Sequence, residues 1–256
     1  MSFLTTAIRR TCKLWALLAS TPRQLLLVDS IRFIITFVRY VWFVMILRRI
    51  KVYNTTTEAV APNTVMHNIK GMRDVGVNRS HLILRPLVSI DQVRSQIRNK
   101  KILTIGARSE GEFYNLLGYG FSRANITILD LISYSPYFDL GDMHHMPYAD
   151  STFDISVSSW VIAYSDNKRL AAAEMIRVTK PNGFIAISCE SHPLTNDEIK
   201  AQAGYLPGSE ERLYRLDQIL KDFEGSIDHI YFSHPESKIV PDQGYSQMIA
   251  IFSIKK

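Results

Sequence analysis

From Lys101 onward, short apolar runs alternate with amphipathic stretches, which is the pattern of strands and helices taken in turn. The first run, residues 101–106, ends in glycine, as expected for a central parallel strand that is buried on both faces. A helical stripe over Glu110–Tyr119 also ends at glycine, which tolerates a left-handed helix terminus. The same reasoning predicts strands over residues 125–130, 152–160 and 184–188, and a helix over residues 167–178.

Two further strands are predicted near the end of the chain, over residues 227–232 and 247–254. They lie too close together for a full helix between them, so they should be antiparallel neighbours. Alternating strands and helices imply an α/β fold with a doubly wound, mostly parallel sheet and an antiparallel last strand. A ligand should bind beyond the carboxyl ends of the strands, beside the first strand. The span Leu131–Gly141 is too short for the usual helix, so the strand after it should be short or absent.

The N-terminal segment differs from this body in hydropathy. Its run from Phe33 to Leu47 has 15 residues, or about 22 Å as a helix, and Arg39 interrupts it. That is marginal for a bilayer span, which usually needs ~20 apolar residues. We therefore expect residues 1–50 to form helices that lie on an anionic membrane surface, with the domain on the cytoplasmic side. A helical extension that packs on the body and a cleaved targeting peptide remain as alternatives.

Charge divides the chain at the same place. Residues 1–57 hold nine Lys or Arg and one acid, whereas residues 58–256 hold 21 basic and 23 acidic side chains. The positive charge therefore belongs to the N-terminal segment, and no nucleic-acid partner is expected. Val52–Asn68 shows no helical stripe and predicts a connector. The expected parts are basic hydrophobic helices over residues 1–57, a connector with a leading helix over residues 58–100, and a globular domain over residues 101–256.

Four sequence blocks lie in order on the predicted elements of that domain. The first is ILTIGARSEG, residues 102–111, and the second is Asp130 at the end of the next strand. The third is GDMHHMPYADSTFD, residues 141–154, and the fourth is EMIRVTKPNG, residues 174–183. Together they resemble the class I S-adenosylmethionine-dependent methyltransferases, in particular the group with a type 11 methyltransferase domain, over residues 102–188.

The resemblance implies a Rossmann-like methyltransferase sheet, S-adenosylmethionine as the cofactor, and roles for individual residues. Asp130 is placed like the family carboxylate that accepts both ribose hydroxyl hydrogens. Asp142 is placed to accept from the adenine amino group, with Met143 as an apolar cover for the ring. Gly106 lets the backbone approach the cofactor without a side chain in the way.

The first block also departs from the family pattern. Thr104 stands where the family usually has an acid, and Arg108 and Glu110 stand where glycines are common. Arg108 could pair with the carboxylate of the cofactor's amino-acid tail, and Glu110 could hold its ammonium group. Alternatively, the two side chains form a local ion pair in a loop that no longer binds the cofactor.

The sequence offers candidates for a catalytic base but does not single one out. Methyl transfer is driven largely by positioning and needs a base only for weak nucleophiles such as hydroxyls. The candidates are His144, His145 and Tyr164, all near predicted strand ends. Ser159 and Trp160 would border the methyl group and the acceptor.

Two functions agree with the sequence. The first is methyl transfer from S-adenosylmethionine to a small, lipidic or glycan acceptor at a membrane surface. The second is a non-catalytic, methyltransferase-like binding or scaffold protein, which Thr104 and Arg108 favour. An enzyme should keep Asp130 directed into an open pocket, whereas a scaffold would tolerate a pocket filled by its own side chains. Cys12 and Cys189 show no metal-ligand spacing, so no metal is expected.

Overall fold

The computed structural model describes residues 22–54, 58–72, 75–76, 79–236 and 246–256. The strands are β1 Lys51–Val52, β2 Ile102–Ile105, β3 Ile126–Asp130, β4 Ile132–Ser133, β5 Phe138–Leu140, β6 Phe153–Ser159, β7 Thr179–Ser191, β8 Ile227–His234 and β9 Ser246–Ile254. The α-helices are α1 Asp29–Tyr40, α2 Thr64–Gly71, α3 Ser80–Ser89, α4 Asp91–Arg94, α5 Gly111–Tyr119, α6 Lys168–Val178, α7 Asn196–Ala203 and α8 Leu216–Leu220. Short 3₁₀ turns cover Pro22–Leu27, Arg123–Asn125, Ile162–Tyr164 and Lys221–Ser226, and a π-helical turn, Val41–Ile46, continues α1.

Seven strands form one sheet in the order β5-β3-β2-β6-β7-β9-β8. The five strands from β5 to β7 are parallel to their neighbours, while β9 is antiparallel to both β7 and β8. Every residue of β2 is buried, because helices cover both faces of a doubly wound sheet. The predicted fold class and the antiparallel end of the sheet are therefore confirmed.

The second crossover, which connects β3 to β5, is shorter than usual, as the small number of residues between Asp130 and Gly141 predicts. Between β3 and β5 the chain forms only the two-residue strand β4, and β5 itself has three residues. β4 pairs with β1 in a separate two-stranded sheet, through Lys51 with Ser133 and Val52 with Ile132. Backbone hydrogen bonds therefore join the N-terminal segment to the loop that follows β3.

Part of Val52–Asn68 is helical, although the sequence shows no helical stripe there. Helix α2 begins inside that span, at Thr64, directly after Asn63 in a left-handed conformation with φ of 66°. Its β-branched start gives it little intrinsic helical preference. Tertiary contacts supply the stability instead, since Val65 and Met72 pack in a cluster with Phe43.

Helix α1 packs on the body with one face and exposes an apolar face. Arg32, Thr36 and Phe43 are buried against the domain, whereas Ile34 and Val38 stay exposed. Within the described residues, none of the helices combines the length and the apolar character that a membrane span needs. Residues 1–21 of the predicted membrane-facing segment lie outside the described residues. The predicted division of the chain at residues 57 and 100 stays a prediction.

Candidate functional site

A cavity opens at the carboxyl ends of β2, β3 and β6, where the topology predicts a ligand site. The space between its walls is about 970 Å³, which includes open solvent at its mouth. The inner wall comes from the strand ends, and the outer wall comes from α2 and the start of α3. Its lining is Val60, Thr64, Asn68, Arg79, Ser80, Ile105, Gly106, Arg108, Ser109, Glu112, Leu129, Asp130, Leu131, Gly141, Asp142, Met143, Ser159, Trp160, Val161 and Tyr164.

Gly106 sits where the chain leaves β2 and turns along the cavity. Its φ is +76°, a conformation that residues with a side chain rarely adopt. A Cβ at this position would lie 2.1 Å from Cγ2 of Val161. The turn therefore requires glycine, as the sequence predicts for a backbone that approaches a ligand closely.

Asp130 ends β3 and presents a buried carboxyl group at the cavity. Its Oδ1 accepts the backbone N–H of Ile132 at 2.9 Å. Burial raises the pKa of Asp130 to about 7, although that hydrogen bond and the nearby Arg108 work in the opposite direction. The carboxylate is therefore held in a site where it gains from hydrogen-bond donors or a positive charge on a ligand.

Asp142 and Met143 also line the cavity, but the histidines beside them do not. His144 is buried, with Nδ1 2.6 Å from Oδ1 of Asp142 and Nε2 2.6 Å from Oγ of Ser165. Both of its ring nitrogens are thus engaged, and its effect is to orient Asp142. His145 is exposed, and its Nδ1 lies 3.2 Å from the carbonyl oxygen of His144. The structure therefore contradicts both histidines as bases that face the cavity.

Glu110 does not face the cavity either, which corrects its predicted role at the cofactor's ammonium group. Its carboxylate is fully buried and pairs with the guanidinium of Arg39, whose Nη2 donates to Oε1 at 2.9 Å. The hydroxyl of Ser135 donates to the same oxygen, and the backbone N–H of Glu110 donates to the hydroxyl of Tyr134. The alternative prediction, a local ion pair between Glu110 and Arg108, is also not found, because Glu110 pairs with Arg39 instead.

Arg108 lines the cavity, and its positive charge acts on the carboxyl groups of Asp130 and Glu112 and on the hydroxyl of Tyr164. Its guanidinium occupies the space beside Gly71 of α2, where a Cβ would lie 2.8 Å from Nη1. The hydrogen bond from Arg108 lowers the pKa of Tyr164, yet burial dominates and the net shift is upward. Tyr164 therefore keeps its phenolic proton at neutral pH, which argues against it as the base.

Glu112, in the first turn of α5, is a cavity residue that the sequence analysis missed. Burial and the neighbouring Asp130 raise its pKa to about 8, and Arg108 partly offsets them. The signal that could have found it is an acidic residue in the first turn of the helix that follows the glycine loop. The outer wall was missed as well, since Thr64, Asn68, Arg79 and Ser80 all precede the four blocks.

Two buried polar atoms belong to neighbouring residues of the cavity wall. Oγ of Ser159 and Nε1 of Trp160 have no hydrogen-bond partner in the described part of the chain. Buried polar atoms are usually paired, because leaving one unpaired costs about 1–3 kcal/mol. Trp160 also has a φ of 56°, a strained value of the kind that occurs at functional sites. The cavity lining thus combines acidic residues, a guanidinium and apolar residues, which suits S-adenosylmethionine.

Comparisons with known proteins agree with this geometry. Residues 109–187 match the family model described as a methyltransferase domain. A demethylmenaquinone methyltransferase of Paenarthrobacter aurescens (strain TC1) is 42% identical over 57 residues, which is 22% of this chain and 22% of that protein. The alignments cover less than a quarter of the length of the curated relatives.

Solved structures show the same fold at low sequence identity. The N-methyltransferase NodS of Bradyrhizobium japonicum WM9, in complex with S-adenosyl-L-homocysteine, has a TM-score of 0.51 and 14% identity, and the match covers 76% of this chain and 100% of that one. A chain described as a sarcosine dimethylglycine methyltransferase of Galdieria sulphuraria has a TM-score of 0.50 and 15% identity over 71% of this chain and 87% of that one. The resemblance to class I methyltransferases is confirmed, and S-adenosylmethionine as the cofactor agrees with the matched domain.

Proposed function

We propose that this protein transfers a methyl group from S-adenosylmethionine to a small apolar acceptor, and that it does so at a membrane surface. The observation that carries the proposal is the open cavity whose wall includes the acidic residues Asp130 and Asp142 together with Arg108. A scaffold that had lost its ligand would not need to keep buried carboxyl groups beside open space.

The cavity residues suit the parts of the cofactor. The Asp130 carboxylate would accept the ribose hydroxyl hydrogens, and Met143 would cover the adenine ring. Arg108 would pair with the carboxylate of the amino-acid tail. Glu112 and Asp130 give the cavity negative charge when they ionise, which favours a cation. When bound, S-adenosylmethionine supplies an electrophilic methyl group on a positively charged sulfur.

The acceptor should carry a group that is nucleophilic without the help of a base from the protein. His144 lies away from the cavity with both nitrogens engaged, and Tyr164 holds its proton because its pKa is raised. Arg79 also lines the wall and would stabilise an anionic oxygen of the acceptor. An acceptor with an acidic hydroxyl, such as a phenol or an enol, fits this arrangement, and positioning then supplies the rate.

The acceptor's apolar character has separate support. Beside Arg79 and Tyr164, the wall presents Val60, Val161 and Trp160, which match an apolar or aromatic body. The curated relative from Paenarthrobacter aurescens is named for a quinone, demethylmenaquinone. A ring-hydroxylated quinol is therefore the first acceptor class to assay.

The test is calorimetric titration of the full chain with S-adenosylmethionine and S-adenosylhomocysteine, followed by transfer of radiolabelled methyl to a panel of quinols, phenols and amines. We expect micromolar binding that Asp130→Ala weakens at least tenfold, while the exposed Asp197→Ala control binds like the wild type. A folded wild-type protein that binds neither compound would refute the enzyme and favour the scaffold.

A further inference from the structure

An apolar stripe runs along the outer face of α1 and its π-helical extension. Ile34 is 59% exposed, Val38 60% and Met45 64%, and Trp42 and Ile46 are exposed between and beyond them. Their spacing of three to four residues places them on one side of the helix. Phe33 and Phe37 widen the stripe, with ring centroids 5.7 Å apart. Single exposed apolar residues are ordinary, but a contiguous stripe marks an interaction surface.

The opposite face of the same helix is held firmly, so the stripe points outward in the folded protein. Arg32 is buried and its Nη1 lies 3.3 Å from Nε2 of His81. One turn later Thr36 is fully buried, and Arg39 pairs with Glu110. These contacts fix the orientation of α1, so the helix cannot rotate about its axis to bury the exposed apolar residues.

The stripe adjoins the elements that form the outer cavity wall. Phe33 contacts the loop before α3, since a Cβ on Gly76 would lie 3.6 Å from its ring. Helix α2 divides its residues in the same way, with Thr64 and Asn68 in the cavity wall and the apolar Met66 and Ile69 exposed. Exposed apolar side chains therefore occur both on α1 and on the helix that covers the cavity.

The residues that flank this apolar surface are mostly basic, which favours a negatively charged partner. Arg23 precedes α1, and Arg48, Arg49 and Lys51 follow the π-helical turn, all of them exposed. Asp29 is the one acidic residue between residues 22 and 54. Apolar side chains flanked by cations are suited to the boundary of an anionic bilayer, where the apolar groups insert and the cations meet lipid phosphates.

We infer that the exposed face of α1, the π-helical turn and α2 is a docking surface for an anionic lipid bilayer, which places the outer cavity wall against the membrane. Docking itself stands on the apolar stripe and its charges. Delivery of a lipid-soluble acceptor from the bilayer to the cavity rests on the proposed function.

The test is flotation of the full chain with vesicles of phosphatidylcholine alone or of phosphatidylcholine mixed with the anionic lipid phosphatidylglycerol. We expect binding to the anionic vesicles that falls at high salt. The triple variant Ile34→Asn/Val38→Asn/Met45→Gln should lower the partition coefficient at least tenfold. Leu170→Gln/Ile230→Asn removes exposed apolar residues elsewhere and should bind like the wild type.

Two further measurements make the outcome decisive. In a Trp15→Phe background, the fluorescence should shift to the blue and be quenched by brominated lipid when vesicles are added, and the further change Trp42→Phe should remove that response. A wild-type protein that does not float, or that forms a dimer without lipid and loses it in the triple variant, overturns the inference. Titration of the triple variant with S-adenosylmethionine separates the two proposals, because loss of docking should leave cofactor binding unchanged.

Discussion

The guanidinium of Arg39 and the carboxylate of Glu110 form an ion pair that joins α1 to the start of α5. Glu110 is fully buried, while the Arg39 side chain keeps 26% of its surface exposed and lies over the rings of Phe43 and Tyr137. Arg108 and Ser109, the two residues before Glu110, line the cavity. The pair therefore connects the N-terminal segment to the cofactor loop.

Removing Arg39 should destabilise the protein more than removing both partners. Arg39→Met leaves the buried Glu110 carboxylate uncompensated, and we expect a loss of about 3–5 kcal/mol in the free energy of unfolding. The double variant Arg39→Met/Glu110→Gln should recover most of that loss, because no buried charge remains. Urea denaturation of both variants measures the difference. The control Arg48→Met changes an exposed site, and its free energy of unfolding should stay within about 0.5 kcal/mol of the wild-type value. Equal losses in the single and the double variant would contradict the explanation.

Cofactor affinity should rise with pH between about 6 and 8.5, the range that brackets the pKa values of about 7 for Asp130 and about 8 for Glu112. Below these values the free protein holds both carboxyl groups neutral, and the cavity loses its attraction for a cofactor with one net positive charge. S-adenosylhomocysteine lacks the sulfonium and should show a shallower profile. Calorimetric titration across this range gives both curves. Glu112→Gln should flatten the profile for S-adenosylmethionine, and an unchanged slope would count against Glu112.

Asp130→Asn should stabilise the ligand-free protein at pH 8 while it weakens cofactor binding. Burial raises the pKa of Asp130 from 3.8 to about 7, so the folded state binds more protons than the unfolded state between these values. This group therefore lowers stability as pH rises from about 4 to 7, and asparagine removes the cost. The melting temperature of the variant should exceed that of the wild type at pH 8 by ~2–4 °C per kcal/mol gained, and the two should converge near pH 4. Asp197→Asn is the exposed control.

Gly106→Ala should damage both stability and binding. The new Cβ would meet Val161 at 2.1 Å, and the backbone would be strained at φ +76°. We expect a loss of roughly 1–3 kcal/mol and a tenfold or greater fall in cofactor affinity. Adding Val161→Ala should relieve the contact but not the backbone strain, so recovery should be partial. Gly225→Ala, with no heavy atom within 4 Å of the new Cβ, should be neutral or slightly stabilising in thermal denaturation.

The sequence could predict the sheet and the inner cavity wall because those features depend on local patterns. Buried strands such as β2 read as continuous apolar runs, and Gly106 and Asp130 follow directly from the strand ends on which they lie. The shortened second crossover follows from the number of residues available between Asp130 and Gly141.

The outer wall and the role of Glu110 could not be predicted in the same way. The partner of Glu110 lies 71 residues earlier in the chain, and no spacing rule connects the two positions. Helix α2 carries a weak local signal, because Thr64 and Val65 start it and tertiary packing holds it. An acid in the glycine loop suggests a cofactor contact, and only the fold shows that Glu112, rather than Glu110, faces the cavity.

The separation between Arg39 and Glu110 also has a consequence during biosynthesis. The ribosome makes Arg39 first, and Glu110 is the 71st residue that it adds after Arg39. At about 5–20 residues per second, this interval lasts roughly 4 to 14 s. Throughout it, Arg39 lacks the carboxylate with which it pairs in the folded protein. The ion pair that joins α1 to the domain can therefore form only after the chain has been translated as far as the start of α5.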